Sequence, residues 1–497
     1  MIYPWLKDYE RYNLQHFARL DSYSQFVESM YKDAIREASL LVTSGVNIDN
    51  SKAFNFKDYP ALNKRWKDIN EKLADGIKTT ILTGEEKEWL QSAAKNDFLV
   101  KSILSKSKLS EKEMKGFMNR NLEGLHIFQK RKIAGMNLSE RVWNHTSRFK
   151  SEMELALDLG IGSGKSAHDM ALEVQRLLNN PNDLFRRVRD ERGVLRASKA
   201  IENYNPGAGL YKSSYKNALR LTRTEINMAY RTADIDRWNQ LPFVLGFEVV
   251  TSNNHPIPDI CDDLKGRYPK DFVWVGWHPQ CRCHMVPILS DQQEIDRMTD
   301  KILDGADPES LVPKKTLTNA PRNFDNWLAV NHGRSQKWNT LPYFMRDNTG
   351  FVKRGPLNYI QRMQSVKSDV DVTFHEIAKK IGTDITPTNL KSVERIFEKA
   401  DSDYNGDLTK VTDMVRTTYI CEKEQEQQVV LQLMKEFNIE KDNIKWYSLE
   451  DDQVITPLKG INIKREEMGY TGFLMKFRSA EGGWIEVQVN SPIMIYG

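Results

Sequence analysis

Apolar side chains recur every three to four residues through most of the first 160 positions. From residue 5 to 44, Tyr12, Phe17, Leu20, Tyr23, Phe26, Met30, Ile35 and Leu40 keep this spacing, which predicts one or two long helices. Residues 45 to 58 read as a loop. Trp66, Ile69, Leu73 and Ile77 resume the period, and helical patterns return at 84–105, 110–130 and 135–158. Few β-branched runs interrupt them, so this part reads as a mostly helical packing and docking module. A further helix is predicted from Arg220 to Trp238, with Leu221, Ile226, Ala229 and Tyr230 on one face. Glu225 is expected to pair along its surface with Arg220, Arg223 or Arg231, and Pro242 marks its end. The run FVLGFEVVTS then has strand composition, with Gly246 as a bulge.

The period changes towards the C-terminus. LNYIQRMQSVKSDVDVTFHEIAKKIGT is helical, VRTTYIC is a strand leading into a helix, and YTGFLMKFRS and IEVQVN are strands joined by the turn AEGGW. Ile485, Val487 and Val489 alternate with Glu486, Gln488 and Asn490, which places Glu486 and Gln488 on one strand face. Asp413 stands just before the strand VRTTYIC. An acid there and another on a neighbouring strand would suit a cation that carries nucleotide phosphates. The expected fold class is multidomain α+β. It comprises a helical region over 1–185, a small α+β core with cysteine and histidine over 186–290, a linker and tail over 291–350, and an α/β sheet domain over 351–497.

Composition narrows the partners. A net charge of +4 over 497 residues gives no global basic signal for nucleic acid. Four cysteines do not make a disulfide scaffold and suit a reducing cytoplasm. The opening MIYPWLKDYERYNL is charged almost at once and so is not a secretory signal. No apolar run approaches the roughly 18–20 residues of a membrane helix, so no membrane partner is expected.

Three motifs bear on chemistry. GIGSGKS, Gly160 to Ser166, resembles a phosphate-binding loop, but Leu159 stands where the first glycine belongs and a helix precedes it; a turn capped by Ser163 or Ser166 is expected instead. The basic, turn-rich stretch from Arg186 to Asn217 reads as a solvated surface. Cys261, His278, Cys281 and Cys283 have the ligand chemistry for zinc, or are buried cysteines fixing a small β-rich knot.

Arg223-Thr224-Glu225, Asn227 and Arg231, followed by Cys261, Leu264, Gly266, His278-Pro279, Cys281-Arg282-Cys283 and Pro287, resemble the phage minor head (head morphogenesis) proteins of the Mu F-like and SPP1 gp7-like group. The pattern of FDNW and LPYFMRDN between Phe324 and Asn348 resembles the tail segment of that group, expected to fold back on the head core. The resemblance implies a docking role at portal and capsid proteins, contact with packaged DNA, and a location in the capsid interior and host cytoplasm.

Asp413 and Arg416 in TDMVRTTYI, Gly469-Tyr470 in GYTGF and Glu486-Gln488 in EVQ resemble the RelA/SpoT nucleotide pyrophosphokinases in their compact toxin-like form. That resemblance implies Mg²⁺ held by Asp413 and Glu486, ATP phosphates held by Lys391, Arg395 and Lys399, and an acceptor base stacked on Tyr470, with Arg416 and Gln488 completing the nucleotide site. The reaction would move pyrophosphate from ATP to a nucleotide or a tRNA 3′ end; a non-catalytic nucleotide- or RNA-binding module is the alternative. The family's glycine-and-serine phosphate loop is not evident before Asp413. The family also continues beyond the EVQ strand into a further helix, so a truncated, split or degenerate domain is expected.

Overall fold

The computed structural model describes residues 5–44, 46–49, 52–162, 165–180, 188–189, 195–196, 213–252, 258–448, 454–465 and 469–496. The fold is multidomain α+β and divides into two compact units, Met1–Ile257 with Tyr268–Leu317, and Pro258–Arg267 with Thr318–Gly497.

The first unit is built on α1 (Leu6–Thr43), α2 (Pro60–Leu104), α3 (Leu138–Gly162), α4 (Ala167–Asn179) and α5 (Ser214–Gln240). Its core joins Val27, Tyr31 and Ile35 to Trp66, Ile77, Ile81, Phe149, Met153 and Ile226; of the α1 stripe expected from spacing, Leu20 and Ile35 are buried, whereas Phe26 and Leu40 face solvent and Val27 and Tyr31 take the core positions beside them. Two patterns at 66–77 and 84–105 prove to be one helix. Gly84 lies inside it because a Cβ there would come within 2.4 Å of Ile226 Cδ1, so close packing, not a break, demands glycine. Ser166 caps α4 by accepting from the Asp169 amide, while Ser163 lies outside the described residues. Of the basic stretch from Arg186 to Asn217, only the antiparallel pair Val188–Arg189 with Leu195–Arg196, and residues from 213 on, are described.

The helix Ser214–Gln240 binds through its polar face. Glu225 is buried and, contrary to the pairing that spacing predicts, is held by arginines from outside its own helix. It accepts from Arg141 Nη1 and Nη2 at 2.8 Å each and from Arg131 Nη2 at 2.8 Å. Arg231 donates to the carbonyls of Val275, Cys281 and Cys283 at 2.7, 2.7 and 2.5 Å. Asn227 Nδ2 reaches the Cys281 carbonyl at 2.9 Å, and the Gln280 amide donates to Thr224 Oγ1 at 3.2 Å. The arginine-threonine-glutamate helix therefore clamps the HPQCRC loop through its backbone, which accounts for the two motifs occurring together. Strands β1 (Val244–Val250), β2 (Gly266–Pro269) and β3 (His284–Leu289) follow in the order β2-β1-β3, with the register slip between Val244 and Gly246 that the glycine predicts.

The stretch expected to be a polar linker holds a helix, Gln292–Leu303, capped by Asp291 and burying Ile295, Met298 and Ile302. From Thr318 the chain belongs to the second unit. There α6 (Arg322–Gln336) packs on α7 (Thr349–Ile381), which runs through Pro356 unbroken. The tail segment thus packs on α7 and also on Ile260–Leu264, the part of the expected core that belongs to this unit, where Asn323 Nδ2 donates to the Asp263 and Lys265 carbonyls at 2.6 and 2.7 Å. Its seam is tight: the Gly333 amide donates to the Gly406 carbonyl at 3.1 Å, and a Cβ on Gly333 would lie 2.5 Å from Gly406 Cα. Gly333→Ala is expected to destabilise this unit by roughly 1–3 kcal/mol, because backbone cannot yield as a side chain does. A lowered calorimetric transition checks it; an unchanged or raised one, from the better helix propensity of alanine, would refute it.

The second unit carries β4 (Asp384–Ile385), β5 (Asn389–Leu390), α8 (Val393–Tyr404), β6 (Val415–Ile420), α9 (Lys423–Phe437), β7 (Ile444–Ser448), β8 (Asn462–Arg465), β9 (Gly472–Arg478) and β10 (Trp484–Asn490). The sheet order is β8-β7-β9-β10-β6-β4, with β5 also on β6. β10 runs parallel to β6 and antiparallel to β9. Alternation sorts the side chains. Val415, Tyr419, Ile485, Val487, Val489, Phe473 and Met475 are fully buried in the apolar core with Phe374 of α7 and Val429, Val430 and Leu433 of α9. The register puts Arg416, Thr418, Lys476, Glu486, Gln488 and Asn490 on the other face.

Candidate functional site

Three short connections bring the chemistry together at this polar face. The Lys391 amide donates to the Met414 carbonyl at 2.9 Å, so the end of β5 lies beside the turn that leads into β6. Ser392 caps α8 by accepting from the Arg395 amide, and Lys399 follows Arg395 by one turn. The result is a carboxylate held by two ammonium groups: Asp413 Oδ2 accepts from Lys391 Nζ and Lys399 Nζ, each at 2.9 Å. Burial pushes the Asp413 carboxyl up, but the two lysines outweigh it and hold the group below its ordinary value. The same pairing holds Lys399 above its ordinary value against the effect of burial. The second oxygen, Asp413 Oδ1, is buried with no hydrogen-bond partner among the described residues. A buried orphan acceptor beside two cations is costly unless something binds there.

Glu486, on the central strand β10, is 7% exposed. Its Oε1 accepts from Gln488 Nε2 at 3.3 Å, and Lys476 Nζ lies 3.4 Å from its Oε2. Lys476 Nζ also donates to Thr412 Oγ1 at 2.9 Å. Two polar groups therefore adjoin, Lys391 and Lys399 on Asp413, and Thr412, Lys476, Glu486 and Gln488, with Thr412 next to Asp413 along the backbone. Tyr470 lies at the far end of the same face: its hydroxyl donates to Asn490 Oδ1 at 3.0 Å, and its ring meets Tyr447 edge-on at 5.4 Å. Burial raises the Tyr470 phenol above its ordinary value, so the ring stays neutral. Gly472 makes this end possible, for at φ +142° a Cβ would strike Asn490 Oδ1 at 2.2 Å.

Of the residues singled out from sequence, Lys391, Lys399 and Asp413 make one cluster, and Glu486 with Gln488 makes a second, adjoining one. Arg395 and Arg416 are exposed, Arg416 as the cross-strand neighbour of Glu486. Lys476 and Thr412 went unnoticed, and Asn490 was named only for its place in the alternation. Lys476 alternates with Met475 and Phe477, a signal that becomes useful only with the register of β9 against β10. The carboxylates of Asp413 and Glu486 offer hard oxygen donors, which fit Mg²⁺.

In the first unit, Cys281 and Cys283 are buried with their sulfurs within 4.8 Å of one another, and His278 Nδ1 is 2.8 Å from the Pro279 carbonyl. Cys261 is carried by Ile260–Leu264, in the other unit. No helix among the described residues is long and apolar enough to cross a membrane.

No protein-family model matches the chain. Over 132 residues it is 29% identical to the (p)ppApp synthetase toxin Tas1 of Pseudomonas aeruginosa (strain UCBPP-PA14), a match that covers 27% of this chain and 26% of that protein. The chain thus matches about a quarter of the length of that curated relative. A crystal structure of the complex between the Type VI effector Tas1 and its immunity protein is similar with 28% identity and a TM-score of 0.24, over 29% of this chain and 65% of that one. The sequence match supports the pyrophosphokinase part of the resemblance and does not bear on the head-morphogenesis part.

Proposed function

We propose that the second unit transfers pyrophosphate from ATP to the hydroxyl of an adenine nucleotide and acts as a toxin or effector domain. The observation that carries this reading is Asp413, braced by two lysines with its other oxygen unpartnered, next along the backbone to Thr412, whose partner Lys476 meets Glu486 on the same polar face. Asp413 and Glu486 would hold Mg²⁺, which when bound offsets charge on the ATP phosphates. Lys391, Arg395 and Lys399 would hold those phosphates in line, and Tyr470 would give the acceptor base a flat surface. In the transfer, the acceptor oxygen bonds to the β-phosphorus, the bond from that phosphorus to the α,β-bridging oxygen breaks, AMP leaves, and the hydroxyl proton passes to a base or to water. The name of the relative favours adenine as acceptor base.

The test is transfer by the purified full chain from ATP labelled at the terminal phosphate, with Mg²⁺ and separate AMP, ADP, GDP, GTP and bulk tRNA acceptors. Label on adenine nucleotides supports the reading. Label on guanine nucleotides or on tRNA alone overturns the acceptor, and no label on any overturns the reaction. The docking role of the first unit at portal or capsid proteins rests on the motif resemblance alone.

A further inference from the structure

Lys476 lies in the middle of β9, between Met475 and Phe477, which are buried on the apolar face. A lysine at the centre of a sheet is retained at a cost unless its ammonium has partners. It has two of different kinds. Thr412 Oγ1, at 2.9 Å, belongs to the residue next to Asp413. Glu486 Oε2, at 3.4 Å, belongs to its directly opposed cross-strand neighbour. Its side chain is 30% exposed where that of Glu486 is 9% exposed, so the lysine is the more solvent-facing partner of the pair. The arrangement at Asp413 is parallel: there too the carboxylate is met by lysines, Lys391 and Lys399. Each acid therefore carries its own organic cation.

We propose that Lys476 is a tethered counter-ion which occupies Glu486 until a divalent cation arrives, then releases the carboxylate and, still held by Thr412, donates to the polyphosphate of ATP. This rests on the pyrophosphotransfer reading above. The physical reason is competition. An ammonium about 3.4 Å from a carboxylate opposes entry of a second positive charge. Once the carboxylate is taken, the same ammonium is left beside an anionic ligand that welcomes it. A lysine kept only for packing or for a structural ion pair would not show these opposite effects.

The measurement is Mn²⁺ binding to the full chain, followed by electron paramagnetic resonance without nucleotide, together with the Mg²⁺-dependent affinity for α,β-methylene-ATP. Lys476→Met is expected to tighten Mn²⁺ binding ~3–10-fold, by removing a competing charge, and to weaken the analogue by ~10-fold. Lys476→Arg, which keeps the charge, should return Mn²⁺ affinity to that of the wild type. Lys476→Gln, uncharged but able to bond Thr412, should behave as the methionine variant and replaces it should that one not fold. Unchanged or weaker Mn²⁺ binding in the uncharged variants overturns the proposal while leaving a transferring wild-type enzyme intact. Wild-type protein that binds no Mn²⁺ overturns the cation site itself, and this inference with it.

Discussion

Asp413→Ala is expected to reduce pyrophosphate transfer by roughly 10³-fold, the scale on which a preorganised electrostatic group is felt in a charged transition state. The fold should survive. Lys391 and Lys399 have side chains 22% and 29% exposed, so both ammonium groups can turn to water, and loss of such partly exposed pairs costs no more than about 1 kcal/mol. Asp413→Asn keeps the shape and should lose nearly as much activity, since an amide is a far poorer cation ligand. A circular dichroism melt close to that of the wild type, alongside the lost transfer, separates chemistry from unfolding. Retained transfer in either variant would remove Asp413 from the site.

Glu85→Gln should have the largest effect on stability, and its sign depends on pH. Glu85 is 1% exposed in α2; Gln129 lies beside its carboxyl, but neither oxygen has a hydrogen bond of good geometry among the described residues. Burial, then the nearby Glu225 charge, pushes its carboxyl up to about 8, against the pull of Arg131 and Arg141. In the folded protein the group keeps its proton between pH 4.5 and about 8, where the unfolded chain has lost it. Folding stability tied to Glu85 is therefore complete below that window and falls as pH rises through it, at up to about 1.4 kcal/mol per pH unit. Glutamine mimics the protonated acid at every pH. The variant should melt like the wild type near pH 5 and several degrees higher near pH 9, as read by calorimetry. Parallel melting curves across that range would sink the argument.

The long helices were legible because their cores follow one period over many turns, as Tyr31, Ile35, Trp66 and Ile77 do. So were β6, β9 and β10, whose alternation separates a buried face from a polar one. β4 and β5, two residues each, are too short for any pattern, and β7 and β8 lack a long alternating run. The same limit governs the site. Asp413 could be named from its place before a strand, and Lys391 and Lys399 from the family resemblance, all three being close along the chain. Lys476 could not, since its meaning lies in the register that opposes it to Glu486. Glu225 shows the converse: neighbours on its own helix suggested partners, while the arginines that hold it come from 84 and 94 positions away.

β10 lies between β9 and β6, and its parallel pairing joins Glu486 to Arg416. Such a strand enters late, because long-range parallel pairing closes a large loop before contacts offset its entropy. The half of the pocket that contains Asp413 emerges from the ribosome well before the half that contains Glu486. If the second unit transfers pyrophosphate as proposed, a nascent chain lacks a complete cation site until its sheet is almost whole.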